Sequence, residues 1–124
     1  MPLSYRVEGD VLVYTFTGDA PLNEAHAAFV DGMTAYRATS PDKVRVFMDI
    51  TGSEENRPSA ELQTMGQRIA GAVGDGRLAV VTATDLQFGQ ARMVQAEAEA
   101  EAQEIEVHVF RCAEEARSWL LAAD

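Results

Sequence analysis

The stretch Arg77 to Ala83 reads RLAVVTA, and its middle, Leu78 to Val81, is entirely apolar. A strand with one wet face alternates apolar and polar residues, whereas a parallel strand covered on both faces is continuously apolar. The sequence Gly74-Asp75-Gly76 precedes the run as a turn, and Thr84 to Gln87 follows it with the residues of a helix capping box. The run therefore predicts a central strand of a parallel sheet that leads directly into a helix.

Four more strands are predicted on either side of this run. Ser4 to Glu8 and Val11 to Thr17 are strand-like, and Gly9-Asp10 between them is a two-residue hairpin signal. Lys43 to Ile50 alternates apolar and other residues, and Ile105 to Phe110 is a last short strand. The first two strands are thus expected to be antiparallel, and the later ones to be separated by helices.

Apolar residues at helical spacing predict four helices between and after the strands. The first opens at Pro21 and ends before Pro41, and the second begins near Pro58-Ser59. The third runs to about Gln103, and the last covers Ala113 to Ala123. The order β-β-α-β-α-β-α-β-α predicts an α/β fold with a mostly parallel five-stranded sheet, an N-terminal antiparallel hairpin and helices packed on the sheet. A chain of 124 residues fits a single domain, 1–124.

Charge and composition exclude several classes of function. The chain has 10 basic and 20 acidic residues and a formal net charge of -10. Such a surface repels nucleic acid and anionic membranes, so we expect no nucleic-acid partner. The charge is interpreted as serving solubility or as a face for a basic protein partner. We find no signal peptide and no apolar run near the ~20 residues that cross a bilayer, which argues against stable membrane insertion. With one cysteine, Cys112, no internal disulfide can form, and we expect a cytoplasmic protein.

The carboxyl ends of parallel strands are where ligands gather in open α/β sheets. The predicted loops and helix starts at this edge supply hydroxyl and carboxylate groups, which we take as a candidate binding site. Its residues are Asp49, Thr51, Ser53, Ser59, Thr84 and Asp85.

No catalytic or metal motif is found, so we expect no enzyme and no cofactor. Asp49 with Asp85 could form an acid/base pair, but we favour Asp85 as part of a helix cap and Asp49 as a strand end. His26 and His108 lie on distant elements without ligand spacing. Cys112 is interpreted as an unusual cap of the last helix rather than as a nucleophile.

The chain resembles the STAS/SpoIIAA-like superfamily, which includes anti-sigma-factor antagonists and is structurally close to Sec14/CRAL-TRIO-type lipid-binding domains. The similarity rests on the opening hairpin, on Val44 to Thr51 (VRVFMDIT) and on Arg77 to Val81. Glu106 to Phe110 followed by Glu114 to Leu120 is similar to the closing strand and helix. The resemblance implies a non-enzymatic regulatory protein-interaction module, or alternatively a carrier of a small ligand or lipid.

The chain departs from this family at the phosphorylation site. Anti-sigma-factor antagonists carry an Asp-Ser-Ser/Thr-Gly motif at the start of the second helix, where a kinase modifies serine. The matching stretch here is Arg57-Pro58-Ser59-Ala60, with Pro58 at the phosphoacceptor position. Ser59 is therefore a displaced candidate phosphoacceptor, with Ser53 as a second candidate. We favour the interpretation that Ser59 caps the helix.

Two further expectations concern ligands and self-association. A carrier needs a cavity between helices and sheet, which small residues and flexible methionines would allow, although the same residues also fill a core. These residues are Gly66, Ala70, Gly71, Met33, Met48, Met65 and Met93. Phe110 on the last strand suggests a sheet edge that could pair with a second copy to form a homodimer.

Overall fold

The computed structural model describes residues 3–122, and within them five strands and four helices follow the predicted order. The strands are β1 (Leu3–Glu8), β2 (Val11–Gly18), β3 (Arg45–Ser53), β4 (Arg77–Val81) and β5 (Glu106–Phe110). The helices are α1 (Leu22–Arg37), α2 (Ser59–Val73), α3 (Asp85–Glu101) and α4 (Ala113–Leu121). The predicted end of the last helix at Ala123 lies outside the described residues.

The strands form one sheet in the order β1-β2-β3-β4-β5, so neighbours in sequence are also neighbours in space. The β1–β2 pair is antiparallel and every other pair is parallel, as predicted. The crossovers from β2 to β5 all advance by one strand in the same direction. Because such crossovers are right-handed, α1, α2 and α3 are placed on the same face of the sheet. The other face receives α4.

Each face has its own hydrophobic cluster. On the three-helix face, α1, α2 and α3 cover side chains such as Leu12, Tyr14, Val46 and Leu78. The one-helix face is smaller, and its buried residues are Val11, Val13, Phe47, Ala79, Val81, Ala116 and Leu120. The apolar run of β4 is explained by this arrangement, because its alternate residues point into the two clusters. The central position of the sheet belongs to β3, and β4 lies next to it.

Two tyrosines attach α1 to the sheet. The Tyr14 ring stacks on Phe29 with centroids 5.1 Å apart, and its hydroxyl donates to the Phe29 carbonyl. Gly32 is required beside them, since a Cβ there would lie 2.6 Å from the Tyr14 hydroxyl. Tyr36 is fully buried, and its hydroxyl donates to the Asp10 carbonyl at 2.6 Å. This bond joins the end of α1 to the β1–β2 turn.

Strand β3 is longer at its carboxyl end than the sequence predicts. Beyond an irregularity between Thr15 and Thr17, Thr17 and Gly18 pair with Gly52 and Ser53. The predicted end of this strand at Ile50 is therefore wrong, because the sequence contains no signal for the continued pairing. Thr51 and Ser53 lie on the strand, and the connection to α2 is the short segment 54–58.

No helix within residues 3–122 is long and apolar enough to cross a lipid bilayer.

Candidate functional site

The carboxyl end of β3 begins the candidate site. The backbone N–H and the hydroxyl of Thr51 both donate to Oδ1 of Asp49, at 2.9 and 2.7 Å. Asp49 is half-buried, and Thr51 is exposed. The Asp49 carboxylate thus bonds to a neighbouring residue of its own strand, and because β3 continues to Ser53, the interpretation of Asp49 as a strand end is wrong.

Gln87 connects three of the predicted site residues. Its side-chain amide Nε2 donates to the carbonyls of Thr51 and Ser53, at 3.2 and 3.0 Å. Its Oε1 accepts from the backbone N–H groups of Ala83 and Thr84, at 2.7 and 3.2 Å. The Gln87 N–H in turn donates to the Thr84 hydroxyl at 3.1 Å, which confirms the predicted capping box. The first turn of α3 is thereby tied to the end of β3.

Arg57 is the principal site residue that the sequence did not reveal. Only 9% of its surface is exposed, and its Nη2 donates to the Ala20 carbonyl at 2.7 Å. Its Nη2 and Nε both donate to the Glu55 carboxylate, at 2.6 and 3.2 Å, and Nη1 donates to Glu61 at 2.9 Å. Such bidentate charge-assisted contacts are among the strongest that side chains make.

The electrostatics of Arg57 reflect its burial and its partners. Removal from water alone would lower the pKa of Arg57, but hydrogen bonds and charges from Glu55 and Glu61 outweigh burial and raise it. The only sequence signal for this role is an arginine placed between acidic residues two positions before and four positions after it. That pattern also occurs on solvated surfaces.

Gln90 completes the fixation of segment 54–58. Its Oε1 accepts from the Arg57 N–H at 3.2 Å, and its Nε2 donates to the Glu55 carbonyl at 3.4 Å. The segment is thus bonded to α3 through Gln90, and through Arg57 to α2 and to the β2–α1 connection. We expect a short connection held at so many points to be rigid.

Two predicted site residues lie apart from this network. Ser59 is exposed and is the first residue of α2, while the cap position is Pro58 with no capping side chain. The interpretation of Ser59 as the cap is therefore wrong; proline fits there because its conformation suits a helix start. Asp85 is also the first residue of its helix, after the Thr84 cap, and forms an exposed ion pair with Arg111 at 2.9 Å.

A surface groove separates the starts of α1 and α2. It has a volume of about 620 Å³ and is lined by residues 19–23 on one side, and by residues 56–58 and Glu61 on the other. We call it the interhelix groove. The contact from Arg57 to the Ala20 carbonyl joins its two walls, so its width is fixed by a buried interaction.

Two apolar cavities lie on the three-helix face. They have volumes of about 40 and 60 Å³ and share the side chains of Phe16, Met48, Met65 and Ile69 as walls. The smaller cavity extends between α1 and α2 to His26 and Arg68. The larger extends under α3.

Not every residue proposed to shape a cavity does so. Met93 is 45% exposed, and Gly71 is exposed with open space around it. Gly66 does allow close approach, since a Cβ there would lie 2.7 Å from Cβ of Glu97 on α3. Gly66 therefore allows the close approach of α2 and α3, whereas Gly71 does not contribute to it.

The remaining candidates lie near α4. Cys112 is exposed and occupies the predicted cap position, without a side-chain hydrogen bond. His108 is exposed and stacks on Trp119 with ring centroids 4.4 Å apart. Phe110 is half-buried and packs near the same Trp119 ring, at 5.8 Å. Phe110 is therefore partly covered by α4, whereas β5 does form an edge of the sheet as expected, and pairing with a second copy stays a prediction.

Comparison with protein-family models and with curated proteins finds no match. Among solved structures, the chain is similar to an uncharacterized protein of the DUF3478 family from Shewanella loihica PV-4, which has a SpoIIAA-like fold. The two are 15% identical with a TM-score of 0.56, and the match covers 95% of this chain and 91% of the other. At this identity the match establishes the fold: the chain has the SpoIIAA-like α/β fold that its sequence resembled.

Proposed function

We propose that this protein is a non-enzymatic protein-interaction module that binds a basic partner at the interhelix groove. The single observation that carries the proposal is the buried Arg57, which bonds to both walls of the groove and to segment 54–58. A surface held in one conformation before binding loses little conformational entropy when a partner docks. Exposed residues such as Asn56 and Pro58 are therefore presented in a fixed arrangement.

The charge around the groove favours a basic partner. Asp19 lines the groove and is exposed, as is Glu54, whose N–H bonds to the carbonyl of Gly18 next to Asp19. The positive charge of Arg57 is matched by Glu55 and Glu61. The net charge of -10 adds a long-range negative field around the protein. Such a field accelerates encounter with a positively charged surface and disfavours acidic ones.

The proposal assigns no catalytic step, because the two aspartates considered as an acid/base pair make separate contacts. Asp49 accepts two hydrogen bonds from Thr51, and Asp85 pairs with Arg111. Neither contact joins the two carboxylates. A general acid and base would have to converge on one reacting group.

Ser59 supplies a means of regulation in this proposal. Its hydroxyl is exposed and is not used as a helix cap, so a kinase can reach it. A phosphate there would gain from the amide groups at the start of α2 but would add negative charge beside Glu61. Phosphorylation is then expected to change the charge that a basic partner meets.

Site-specific photocrosslinking in cells of the source organism tests the docking surface. A photoreactive amino acid at Asn56 should yield an adduct with a particular basic protein, identified by mass spectrometry. The same group at Glu99, exposed on α3, is the matched control and should not yield that adduct. Asp19→Lys combined with Glu54→Lys should abolish it. Identical adducts from both positions, or none from Asn56, would contradict the proposal.

A further inference from the structure

The two edges of the sheet differ in whether the protein itself occupies their outward backbone groups. Strand β5 forms one edge, and the Glu106 N–H and the Phe110 carbonyl both bond on its β4 side. Because alternate residues of a strand direct their backbone groups to opposite sides, Val107 and Val109 direct theirs outward. There the side-chain amide of Gln95 on α3 donates to the Val107 carbonyl at 2.6 Å. The β5 edge is thus partly occupied.

Strand β1 forms the other edge, and its outward backbone groups follow from the hairpin geometry. The pair Glu8 and Val11 flanks the two-residue turn between β1 and β2. In such a hairpin the pair next to the turn is hydrogen-bonded, and bonded and non-bonded pairs alternate from there. Leu3, Tyr5 and Val7 therefore direct their N–H and C=O groups away from β2, where no further strand of residues 3–122 lies.

The side chains of β1 do not prevent another strand from pairing there. Tyr5 and Val7 lie on the three-helix face and remain 43% and 38% exposed. On the other face, the Glu8 carboxylate accepts from Arg6 at 2.8 Å and from Arg117 at 3.2 Å. Charged side chains usually protect an edge strand from pairing. Here they are bonded to one another, and the single arginine and single glutamate of β1 leave the strand without net charge.

We propose that this protein forms a symmetric dimer in which β1 pairs antiparallel with β1 of a second copy, so that the two sheets become one continuous sheet. Each copy then supplies acceptors for the outward N–H groups of the other and donors for its carbonyls. Because the β5 edge is partly occupied, assembly stops at two copies and does not continue as a filament. The interhelix groove contains no residue of β1, so the dimer does not depend on a partner bound there.

The most suitable register places Tyr5 opposite the same residue of the second copy. Leu3 then lies opposite Val7, so apolar side chains meet on the three-helix face. Ser4 lies opposite Arg6 on the other face, so no like charges oppose each other. All three outward-directed residues form hydrogen-bonded pairs, which gives about six N–H···O bonds. Sliding the second strand by two residues toward the turn would place Arg6 opposite itself, which like-charge repulsion disfavours.

Sedimentation equilibrium of the full chain tests the association. A joint of one short strand from each copy is at the low end of interface sizes, so we expect a dissociation constant on the order of 10 µM. Tyr5→Lys should weaken the dimer about tenfold or more, because two positive charges would be opposed at its centre. Val30→Lys, at an exposed residue of α1, is the matched control and should leave it unchanged. A monomer at about 300 µM, or oligomers larger than a dimer, would overturn the proposal.

A mixing experiment separates the register from a loss of folding. Tyr5→Lys and Tyr5→Glu should each be largely monomeric at a concentration where the unaltered chain is dimeric. Mixed together they should form a heterodimer, because opposite charges then meet at the centre of the joint. Circular dichroism checks that each variant keeps the fold. Two folded variants that do not associate when mixed would show that Tyr5 is not at the centre of the interface.

Disulfide trapping distinguishes the two edges. In a chain with the exposed Cys112 replaced by serine, Tyr5→Cys should form a covalent dimer under mild oxidation. Opposed residues of a hydrogen-bonded pair have Cα atoms about 5.5 Å apart, which a disulfide can span. His108→Cys, at an exposed residue of β5, is the control and should stay monomeric. Faster trapping at His108 than at Tyr5 would place the interface at β5 and contradict the assignment.

Discussion

The two faces of the sheet differ in how completely helices fill the space above the strands. On the three-helix face, cavities of about 40 and 60 Å³ remain around Met65. On the one-helix face, Ala116 and Leu120 of α4 pack among Phe47, Ala79 and Val81 of the sheet. A lone helix can settle wherever it fits the strands best. Each of three neighbouring helices must fit the strands and another helix at once, and space is left where both conditions cannot be met.

The largest effect is expected from Leu120→Ala on the one-helix face. Leu120 is 1% exposed, and no second helix covers that side of the sheet within the described residues. Truncation leaves a cavity and should lower the free energy of unfolding by about 4 kcal/mol in urea denaturation. Leu121→Ala, at a residue 55% exposed, should change it by less than about 0.5 kcal/mol. Similar losses for both would show that α4 is not the tightly packed element described.

Arg57→Met should lower the free energy of unfolding by about 3 kcal/mol, because it leaves the poorly exposed Glu55 carboxylate without its partner. Arg57 also lines the larger cavity, so its ion pairs support the three-helix face near the carboxyl end of β3. The control is Arg6→Met, whose ion pair with Glu8 is solvent-exposed and should contribute at most about 1 kcal/mol. Equal losses in chemical denaturation would refute the structural role of Arg57.

Ala116→Leu and Ala91→Leu make the same change in buried helical alanines on opposite faces. Ala116 is completely buried in the small cluster, so the added atoms should cost about 2 kcal/mol. Ala91 lines the larger cavity, where a leucine has room, and its replacement should cost less than about 1 kcal/mol. Thermal and urea unfolding of the two variants compares their free energies of unfolding. A larger loss for Ala91→Leu than for Ala116→Leu would mean that the three-helix face is the more tightly packed one.

The smallest effects are expected from two glycines of α2. Gly66→Ala places a Cβ within 2.7 Å of Glu97 Cβ and 2.9 Å of the Val94 carbonyl, and should destabilise by about 1 kcal/mol. Gly71→Ala meets nothing within 4 Å, so the higher helix propensity of alanine should stabilise by up to about 1 kcal/mol. If both alanines stabilise, α2 and α3 are not held at the distance that Gly66 sets.

Local patterns were sufficient to predict much of the fold. The apolar run at Leu78–Val81 predicted a strand buried on both faces, and Thr84 with Gln87 predicted the capping box that the structure contains. Gly9 at the first turn has a φ of 59°, as the hairpin signal requires. These features depend on residues a few positions apart, so the sequence displays them directly.

The candidate site was predicted only in part. Asp49, Thr51, Ser53 and Thr84 do lie together, but the residues that organise them are Gln87 and Gln90 of α3 and the buried Arg57. Gln87 was identified for its local cap alone, although the same amide also holds the end of β3. When a side chain hydrogen-bonds both to a neighbour in the sequence and to a residue far along the chain, the sequence reveals only the neighbouring partner.

The sequence by itself determined the order, type and approximate bounds of the strands and helices, because periodicity, caps and turns act over short distances. Only the tertiary structure decided the order of strands in the sheet, the gathering of three helices on one face and the cavities beneath them. The tertiary structure alone also decided which arginine is paired and which is not. The acidic residues near Arg57 in the sequence do not reveal its burial, and nothing near Arg68 in the sequence reveals the apolar cavity that it lines. Burial and pairing arise from contacts between segments far apart in the chain, which no local pattern records.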